Sequence, residues 1–409
     1  MTSMANLHSL RDPATTPVIV AACRTAIGRA HPEKGLFRHV RGDELATAAV
    51  RAAVERSGIE PGSIEDLVLG ATQQRGELGG NVARCVALLA DLPLATGGTT
   101  VNRLCGSSLE ALARACHAIA AGAADVQVAA GVEHMHHLPM EAAIDIHPRV
   151  LARTSRGMLS MGLTAEHLAA VHGISRHEQE AYALESHARA AAATAAGLFE
   201  DEIVPVIGHD EAGGIVEAWA DQSIRPDTSL EAMAALEPAF LPGVGTVTAA
   251  TSAPLSDGAA ALVVMSQAEA ERQGLAPWAR VVATAVVGVP PAEMGSGPIA
   301  AVRKLLARPA AAGISLADID LVELNEAFAA QAIHCIRELG LDPAKVNVRG
   351  GSLAIGHPLG ASGARIATTL LHALRDAGGR FGLATMCIGL GQGIAVLFER
   401  PDPDGAWRA

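Results

Sequence analysis

Aromatic residues are scarce in this chain of 409 residues, because Phe, Trp and Tyr together make up 2% of it while half of all residues are hydrophobic. A core with so few large rings must be built from Ala, Val, Leu and Ile on closely packed helices and strands, which is typical of α/β folds. The length allows a large core and more than one domain.

The sequence also lacks paired cysteines and long apolar runs. No CxxC pair occurs, and the cysteines have no disulfide-like spacing: Cys23, Cys85, Cys105, Cys116, Cys335 and Cys387. No apolar run approaches the ~20 residues that span a bilayer, and the N-terminal residues have neither a signal-peptide core nor an Arg-rich amphipathic character. We therefore expect free thiols, no membrane span and a cytoplasmic protein with a short disordered leader.

Positive charge is in deficit, since the formal net charge is −12 at pH 7. Binding to a nucleic acid by counterion release needs a basic surface, so this charge argues against nucleic acid as a partner. A phosphate-bearing ligand would have to be bound by a local cluster of arginines.

Strand-like apolar runs alternate with helical stretches along the chain, which predicts an α/β fold. The predicted strands lie at 17–22, 65–71, 125–131, 261–266, 280–288, 320–325 and 393–399. Predicted helices lie at 43–58 and 108–122, and an Ala-rich helix at 177–197.

An internal repeat relates the two ends of the chain. SGIEPGSIEDLVLG, beginning at Ser57, is similar to AGISLADIDLVELN, beginning at Ala312, at an offset of 255 positions (57 to 312). The same offset carries Cys105 to position 360, inside GHPLGASGARI, where a second glycine-rich turn precedes a helix. We expect two copies of one unit, related by a pseudo-two-fold axis, with these two turns facing each other.

Between the copies lies a less regular stretch rich in His, Arg and Pro, which predicts an inserted loop domain at 135–245. The predicted boundaries of the other parts are an N-terminal half at 17–134 and 246–283, a C-terminal half at 284–400, and tails at 1–16 and 401–409.

Cys105 is a candidate nucleophile. TTVNRLCGSSLEAL places it at the end of a strand, ahead of a helix whose Ser107 and Glu110 fit a capping box. A thiol there faces the positive end of the helix dipole and free amide groups, which favour the thiolate. Because buried cysteines are commonly inert, position alone does not assign the role.

His357 is a candidate base. Gly356 and Pro358 flank it, which excludes a helix at His357 and predicts a rigid turn. An imidazole near a thiol can take its proton. A single histidine is more often structural, but this one lies in the second copy of the repeat at the turn that matches Cys105, which favours the catalytic interpretation.

Two other patterns have some features of cofactor sites. GLGQG at 389–393 looks like a dinucleotide fingerprint, but too few residues follow to complete a βαβ unit. His134, His136 and His137 form a cluster without a Cys or carboxylate pattern at ligand spacing, so we interpret it as a polar loop face. We expect neither a metal nor an organic cofactor.

Four blocks of sequence resemble the signature blocks of the thiolase family, in family order and spacing: VNRLCGSSLEA, NEAFA (325–329), GGSLAIGHPLGASGARI (350–366) and CIGLGQGIA (387–395). The similarity extends over nearly the whole chain. It implies a duplicated α/β fold in five layers, αβαβα, with mixed sheets and an inserted loop domain, which agrees with the repeat.

The resemblance also implies roles. Cys105 would be the nucleophile that becomes acylated, His357 its activating base, and Cys387 a second acid/base that exchanges a proton with the substrate α-carbon or the incoming coenzyme A thiol. Asn325 would hold a water that, with His357, stabilises an enolate oxygen. The backbone amides of Cys105 and Gly389 would form a second oxyanion hole. Cleaving a C–C bond between two carbonyls needs these stabilised oxygens and proton transfer near neutral pH.

Coenzyme A is, by this resemblance, a substrate and not a cofactor. Arg225 would approach its adenine nucleotide, and Ser252 would also contact coenzyme A. TAATSAPLSDGAAA departs from the family pattern, since Ala253 and Pro254 stand where a Ser and a small flexible residue are usual, which puts one contact to the pantetheine arm in question. GGSLAIGHP replaces the commoner GGAIAxGHP, a swap at Ser352 that we expect to be mild.

Within the family, NRLCGSS, GVEHM, MGLTAE and CIGLGQGIA are most similar to the thiolase subunit of bacterial fatty-acid oxidation complexes. This predicts acetyl-CoA C-acyltransferase (3-ketoacyl-CoA thiolase) activity in fatty-acid β-oxidation. A biosynthetic acetoacetyl-CoA thiolase is an alternative. A non-catalytic lipid-binding or scaffold protein of the same fold is another, although the presence of Cys105, His357 and Cys387 argues against it.

The expected partners follow from the same similarity. They are acyl-CoA and coenzyme A as substrates, further copies of the chain in a homodimer or tetramer, and an enoyl-CoA hydratase/3-hydroxyacyl-CoA dehydrogenase subunit.

Overall fold

The computed structural model describes residues 12–140 and 145–402, together with Gly405 and Trp407. The strands are β1 (Pro17–Thr25), β2 (Gly28–Arg29), β3 (Asp66–Gly70), β4 (Gly97–Val101), β5 (Val126–His134), β6 (Ile203–Val204), β7 (Ile207–His209), β8 (Ile215–Glu217), β9 (Ser256–Ser266), β10 (Ala279–Gly288), β11 (Leu321–Leu324), β12 (Phe381–Ile388) and β13 (Gln392–Glu399). The helices are α1 (Gly42–Ser57), α2 (Val82–Leu89), α3 (Ser107–Ala120), α4 (Pro148–Arg153), α5 (Met161–Val171), α6 (Arg176–Ala195), α7 (Leu230–Ala234), α8 (Gln267–Gln273), α9 (Gly297–Leu306), α10 (Ala329–Leu339), α11 (Ser352–Ile355) and α12 (Ser362–Asp376).

All strands and helices predicted from the apolar pattern are present, with shifted ends. The largest shift is in β9, which begins at Ser256 instead of 261 because the polar residues Ser256 and Asp257 are buried in the strand. The Ala-rich helix predicted at 177–197 is α6, whose composition favours a helix and whose start is fixed by a capping box between Ser175 and Glu178.

The strand pairing repeats from one half to the other. In the first half β1 and β9 are antiparallel, β9 and β5 are antiparallel, and β5, β3 and β4 are parallel. In the second half β10, β13, β12 and β11 follow the same order and senses, and a parallel bridge from Val322 to Val346 stands where β4 would be. The predicted duplication is thereby confirmed.

The offset of the repeat also holds. Strands β3 and β11 begin at Asp66 and Leu321, and helices α3 and α12 begin at Ser107 and Ser362, so both pairs are 255 positions apart (66 to 321 and 107 to 362). Equivalent residues of the two copies can therefore be named directly from the sequence.

Buried side chains divide the molecule into layers. One cluster packs α1 and α2 against β1, β3, β5 and β9. A second packs α3 and α12 between the strands of the two halves, and a third packs α9 and α10 against β10 to β13. This is the predicted five-layer αβαβα arrangement, with α3 and α12 as its central layer.

The two central helices approach each other closely at their N-terminal ends. A Cβ atom on Gly363 would lie 2.3 Å from the backbone nitrogen of Leu109, so only glycine fits there without a shift. Next to it, the backbone N–H of Ala364 donates to Ser108 Oγ at 2.8 Å. This contact brings together the turns that precede α3 and α12, which carry Cys105 and His357.

The segment predicted as a loop domain carries α4 to α7 and β6 to β8, and residues 141–144 within it lie outside the described ranges. It is anchored to the sheet, because β6 pairs with β1 and the buried Arg24 binds Glu202 at 2.7 Å and both oxygens of Asp221 at 2.7 and 2.9 Å. Removing one partner of such a buried ion pair typically lowers the free energy of unfolding by about 3–5 kcal/mol. The domain boundaries stay a prediction. The boundary predicted between residues 283 and 284 lies inside strand β10.

Residues 1–11 of the predicted leader lie outside the described residues. Of the helices in the described ranges, none combines the length and apolarity needed to cross a lipid bilayer.

Candidate active site

The turn that carries Cys105 is strained and held by local hydrogen bonds. Leu104 has φ +46°, a left-handed conformation that non-glycine residues rarely adopt. Its backbone N–H donates to Asn102 Oδ1 at 2.8 Å, and Ser107 Oγ donates to its carbonyl oxygen at 2.6 Å. These contacts hold Cys105 at the tip of the turn, just before α3.

The predicted capping box at Ser107 and Glu110 is wrong. Ser107 is already helical, and its hydroxyl bonds to the turn instead of capping the helix: it accepts from the backbone N–H of Arg103 at 2.9 Å. Glu110 forms ion pairs with Arg103 and Arg114, each at 2.9 Å. Both side chains stabilise the turn, by contacts that the sequence spacing did not distinguish from a cap.

Burial is the largest influence on the ionisation of Cys105, which is 6% exposed. It raises the pKa of Cys105 to about 11, although the backbone amides of Gly389 and of Cys105 itself act in the opposite direction. The backbone amides favour the thiolate, as expected at this position, but desolvation outweighs them. The thiol is neutral at physiological pH and needs a base, while the two amides already point at its sulfur.

His357 is presented by a glycine that no other residue could replace without strain. Gly356 has φ +117°, and a Cβ there would lie 2.5 Å from Ser256 Oγ. That same hydroxyl accepts the backbone N–H of His357 at 3.1 Å. The turn thus fixes the imidazole in the buried site, as the flanking Gly356 and Pro358 predicted.

The hydrogen bonds of the ring define which nitrogen of His357 is free. Ser362 Oγ donates to the carbonyl oxygen of Pro358 at 2.9 Å and lies 2.6 Å from His357 Nδ1. Because a hydroxyl has one hydrogen, Nδ1 must be the protonated nitrogen, and the lone pair is on Nε2. Burial, reinforced by the charge of Arg365, lowers the pKa of His357 to about 3, so the ring is neutral.

Asn325 follows β11 and is fully buried beside this ring. Its backbone N–H donates to the carbonyl oxygen of Thr385 at 3.0 Å. Its Oδ1 accepts from Ser352 Oγ at 2.6 Å, and its Nδ2 lies 3.4 Å from His357 Nε2. The amide therefore presents its N–H group on the side of the free imidazole nitrogen.

Cys387 lies near the end of β12 and is also buried. Burial, and then the proximity of Cys105 and Cys335, raise its pKa well above the ordinary value. It belongs to an apolar cluster drawn from the predicted loop domain and from both halves: Met161, Ala165, Phe240, Val247, Met294, Ala327 and Phe328. The structure thus brings the two predicted catalytic thiols into one region, under an apolar wall.

Gly389 belongs to the hairpin that joins β12 and β13. Leu390 and Gly391 continue this turn with φ +63° and +77°, and a Cβ on Gly391 would lie 2.3 Å from the carbonyl oxygen of Val289. GLGQG therefore links two antiparallel strands and not a strand and a helix, which confirms that it is no dinucleotide fingerprint.

Arg225 and Ser252 line one cavity of about 320 Å³, together with Arg29, His187, Ser223 and others. Ser252 Oγ donates to the carbonyl oxygen of Thr248 at 2.8 Å. The buried hydroxyl of Ser223 has no hydrogen-bond partner among the described residues, so it is available to a ligand. Arg225 supplies the local positive charge expected of a phosphate-binding cavity in an acidic protein, and Arg29 adds a second guanidinium that is also paired with Glu211 at 2.8 Å.

The cavity adjoins the groups that hold the catalytic side chains. Pro254 and Leu353 form part of its wall. Pro254 accepts from Ser256 Oγ at 2.7 Å, the hydroxyl that holds His357, and Leu353 follows Ser352, which holds Asn325. The backbone N–H of Ala253 donates to the carbonyl oxygen of Ala327 at 3.0 Å, and the effect of Ala253 and Pro254 on the contact to the pantetheine arm stays a prediction.

The histidine cluster includes a carboxylate that sequence spacing did not reveal. Glu77 lies with His134 and His137, close enough for the three to suggest a metal site. The two rings, however, stack with centroids 3.8 Å apart and planes 11° apart, so the in-plane lone pairs cannot converge on one ion. Their Nε2 atoms lie 3.1 and 3.0 Å from the carbonyl oxygens of Phe37 and Arg38, as in a structural network.

Sequence reasoning missed the hydroxyl groups that orient the site: Ser256, Ser352 and Ser362. Two of them are within five residues of His357, and that proximity was the available signal. The third comes from β9, more than a hundred residues away in the chain.

Comparison with known proteins agrees with the fold. The thiolase N-terminal domain model matches residues 17–268, and the thiolase C-terminal domain model matches residues 275–400. A 3-ketoacyl-CoA thiolase of Erwinia tasmaniensis is 51% identical over 387 residues, covering 94% of this chain and 99% of the relative. One of Aliivibrio fischeri is 50% identical over 388 residues, with the same coverage.

Solved structures of thiolases are also similar to this chain. Human mitochondrial 3-ketoacyl-CoA thiolase is 36% identical with a TM-score of 0.87, covering 95% of this chain and 100% of that one. The same human protein in complex with CoA has a TM-score of 0.85 at 36% identity, covering 95% and 98%. On its sequence, its duplicated fold and the arrangement of its buried thiols, this chain belongs to the thiolase family.

Proposed function

We propose that the protein is a 3-ketoacyl-CoA thiolase, an acetyl-CoA C-acyltransferase that cleaves a 3-ketoacyl-CoA with coenzyme A. The observation that carries the proposal is the gathering of buried side chains in one region: Cys105 contributes to the raised pKa of Cys387, and Asn325 lies 3.4 Å from the imidazole of His357. The relatives named 3-ketoacyl-CoA thiolase support the substrate class. No metal or organic cofactor takes part in the proposed chemistry.

The first half of the reaction forms an acyl-enzyme. Neutral His357 takes the thiol proton at Nε2 as the sulfur of Cys105 attacks the 3-keto carbon, and the amides of Cys105 and Gly389 stabilise the resulting oxyanion. The C2–C3 bond then breaks, and its electron pair leaves on the acetyl-CoA enolate. A water held by Asn325 and His357 stabilises the enolate oxygen, and Cys387 protonates C2.

The second half returns the enzyme to its starting state. The Cys387 thiolate takes the proton of incoming coenzyme A, whose sulfur attacks the thioester on Cys105. The Cys105 thiolate leaves and recovers its proton from His357. The products are acetyl-CoA and an acyl-CoA shortened by two carbons.

The substrate would lie across two surfaces of different character. The cavity with Arg225 and Ser252 supplies positive charge and polar groups for coenzyme A, and the apolar wall around Cys387 suits a hydrocarbon chain. The apolar wall supports medium or long 3-ketoacyl-CoA substrates. The role in fatty-acid β-oxidation and the cytoplasmic location are proposed from the sequence resemblance.

Replacing the proposed nucleophile tests the function. Wild-type protein should consume a long-chain 3-ketoacyl-CoA only when coenzyme A is present, and Cys105→Ser should lose this activity by about 10³-fold or more, because a serine hydroxyl is a far weaker nucleophile at this site. Mass spectrometry after incubation with acetyl-CoA should find an acetyl group on the Cys105 peptide. Acetylation confined to another cysteine would overturn the assignment.

The state of the resting thiol is testable by its reactivity. Because only the thiolate is alkylated and the pKa of Cys105 is about 11, iodoacetamide labelling of Cys105 should accelerate about tenfold per pH unit between pH 7 and 9 without substrate. Peptide mapping, with Cys105→Ser as control, isolates this residue from the other thiols. A rate that levels off above pH 7 would instead indicate a preformed thiolate–imidazolium pair.

The proposed role of Cys387 can be tested separately from that of Cys105. Cys387→Ala should still acetylate Cys105 but lose deuterium exchange at the acetyl-CoA methyl group, since it lacks the proposed proton carrier. Cys116→Ala removes another buried thiol of the same core and should exchange normally. Exchange at the wild-type rate in Cys387→Ala would exclude the role.

The proposal includes assembly into a homodimer or tetramer. Within the described residues β4 is an edge strand paired only with β3, and the exposed Leu88, Leu89 and Leu94 lie close to it in the chain. Light scattering at micromolar concentration should give at least twice the mass of one chain, and a strict monomer would contradict this. Addition of an enoyl-CoA hydratase/3-hydroxyacyl-CoA dehydrogenase subunit should increase the mass further if it is a partner.

A further inference from the structure

A buried chain of hydrogen bonds leads from a guanidinium group to the free nitrogen of His357. Arg365 Nη2 donates to Ser352 Oγ at 2.7 Å, and Ser352 Oγ donates to Asn325 Oδ1 at 2.6 Å. Asn325 Nδ2 then lies 3.4 Å from His357 Nε2. Arg365, Ser352 and Asn325 are fully buried.

The direction of each hydrogen bond in this chain is fixed by chemistry. A guanidinium only donates, so Ser352 Oγ accepts from Arg365. The amide oxygen of Asn325 only accepts, so the Ser352 hydroxyl donates its one hydrogen to Asn325 Oδ1. The amide N–H group is therefore turned towards His357 Nε2, where a donor is needed to hold a water or an enolate oxygen.

The positive charge of Arg365, from which this series of hydrogen bonds begins, is weakly compensated. Arg365 meets Glu323 through one contact of 3.5 Å, and its Nε has no partner among the described residues. Arg24, also fully buried, instead has close contacts to two carboxylates. A buried cation with so little local compensation polarises the hydrogen bonds that lead away from it, because the interior screens charge poorly.

We propose that Ser352 is a positioning residue for the enolate step: it orients the Asn325 amide and transmits to it the polarisation of Arg365. The inference rests on the proposed thiolase function and assigns a new role within the same site. This chain has Ser352 where the thiolase family commonly has Ala. The difference was expected to be mild, and the proposal gives the serine a function.

The role predicts which half of the reaction depends on Ser352. The enolate forms near Asn325 and His357, whereas acylation of Cys105 uses the amides of Cys105 and Gly389. Without the Ser352 hydroxyl the Asn325 amide is free to turn over and present its oxygen, which would repel an enolate. Acylation needs no contact from Asn325 and should continue.

The test is Ser352→Ala, a change that removes one buried oxygen. We expect deuterium exchange at the acetyl-CoA methyl group and C–C cleavage to slow about tenfold, less than the 10²–10³ typical of losing a direct oxyanion donor. Burst release of coenzyme A on acetylation of Cys105 should stay within about twofold of wild type, with KM little changed.

Ser266→Ala is the matched control, because Ser266 is equally buried, hydrogen-bonded to Asp125 and at the far end of β9 from the site. It should leave the ratio of exchange to acylation unchanged. An equal loss of both half-reactions in Ser352→Ala, or no loss in either, would overturn the inference. Wild-type protein that forms no acetyl-enzyme would overturn the proposed function, and the inference with it.

Discussion

The contact between the N-terminal ends of α3 and α12 is the constraint on which the site depends. Gly363 lies directly against the backbone of Leu109, and Ser108 binds the backbone of Ala364. Since each helix is preceded by a turn with a reactive residue, this approach sets the relative position of thiol and imidazole. Any side chain at Gly363 would move one copy of the repeat relative to the other and separate groups that must act together.

Burial has an equally general consequence for the chemistry. Cys105, Cys387 and His357 are all uncharged in the resting site, because an apolar interior opposes every ionised form. In the proposed reaction, charge therefore appears only as bonds form and break, and donors already in place must receive it. The proposed donors are the amides of Cys105 and Gly389 and the oriented amide of Asn325, which need no reorganisation when an anionic oxygen develops.

The sequence predicted the architecture well because the repeat and the apolar periodicity are local properties. Burial and side-chain contacts between distant segments arise from tertiary packing and could not be predicted from the sequence. The helix-end argument for Cys105 had the right geometry but could not include the desolvation that outweighs it. Ser107 has a favourable spacing for a cap, yet the turn before it competes for its hydroxyl. Glu77 lies beside His137 although the two are 60 residues apart in the chain, which no spacing rule covers.

The pseudo-two-fold axis relates residues that are not alike. Offset by 255 positions, Cys105 corresponds to Gly360 and His357 to Asn102, which binds the Leu104 turn instead of taking part in proton transfer. A symmetric frame therefore encloses an asymmetric centre. The proposed substrate, with its nucleotide in the Arg225 cavity and its hydrocarbon against the apolar wall around Cys387, would therefore react in a single orientation although the frame around it is repeated.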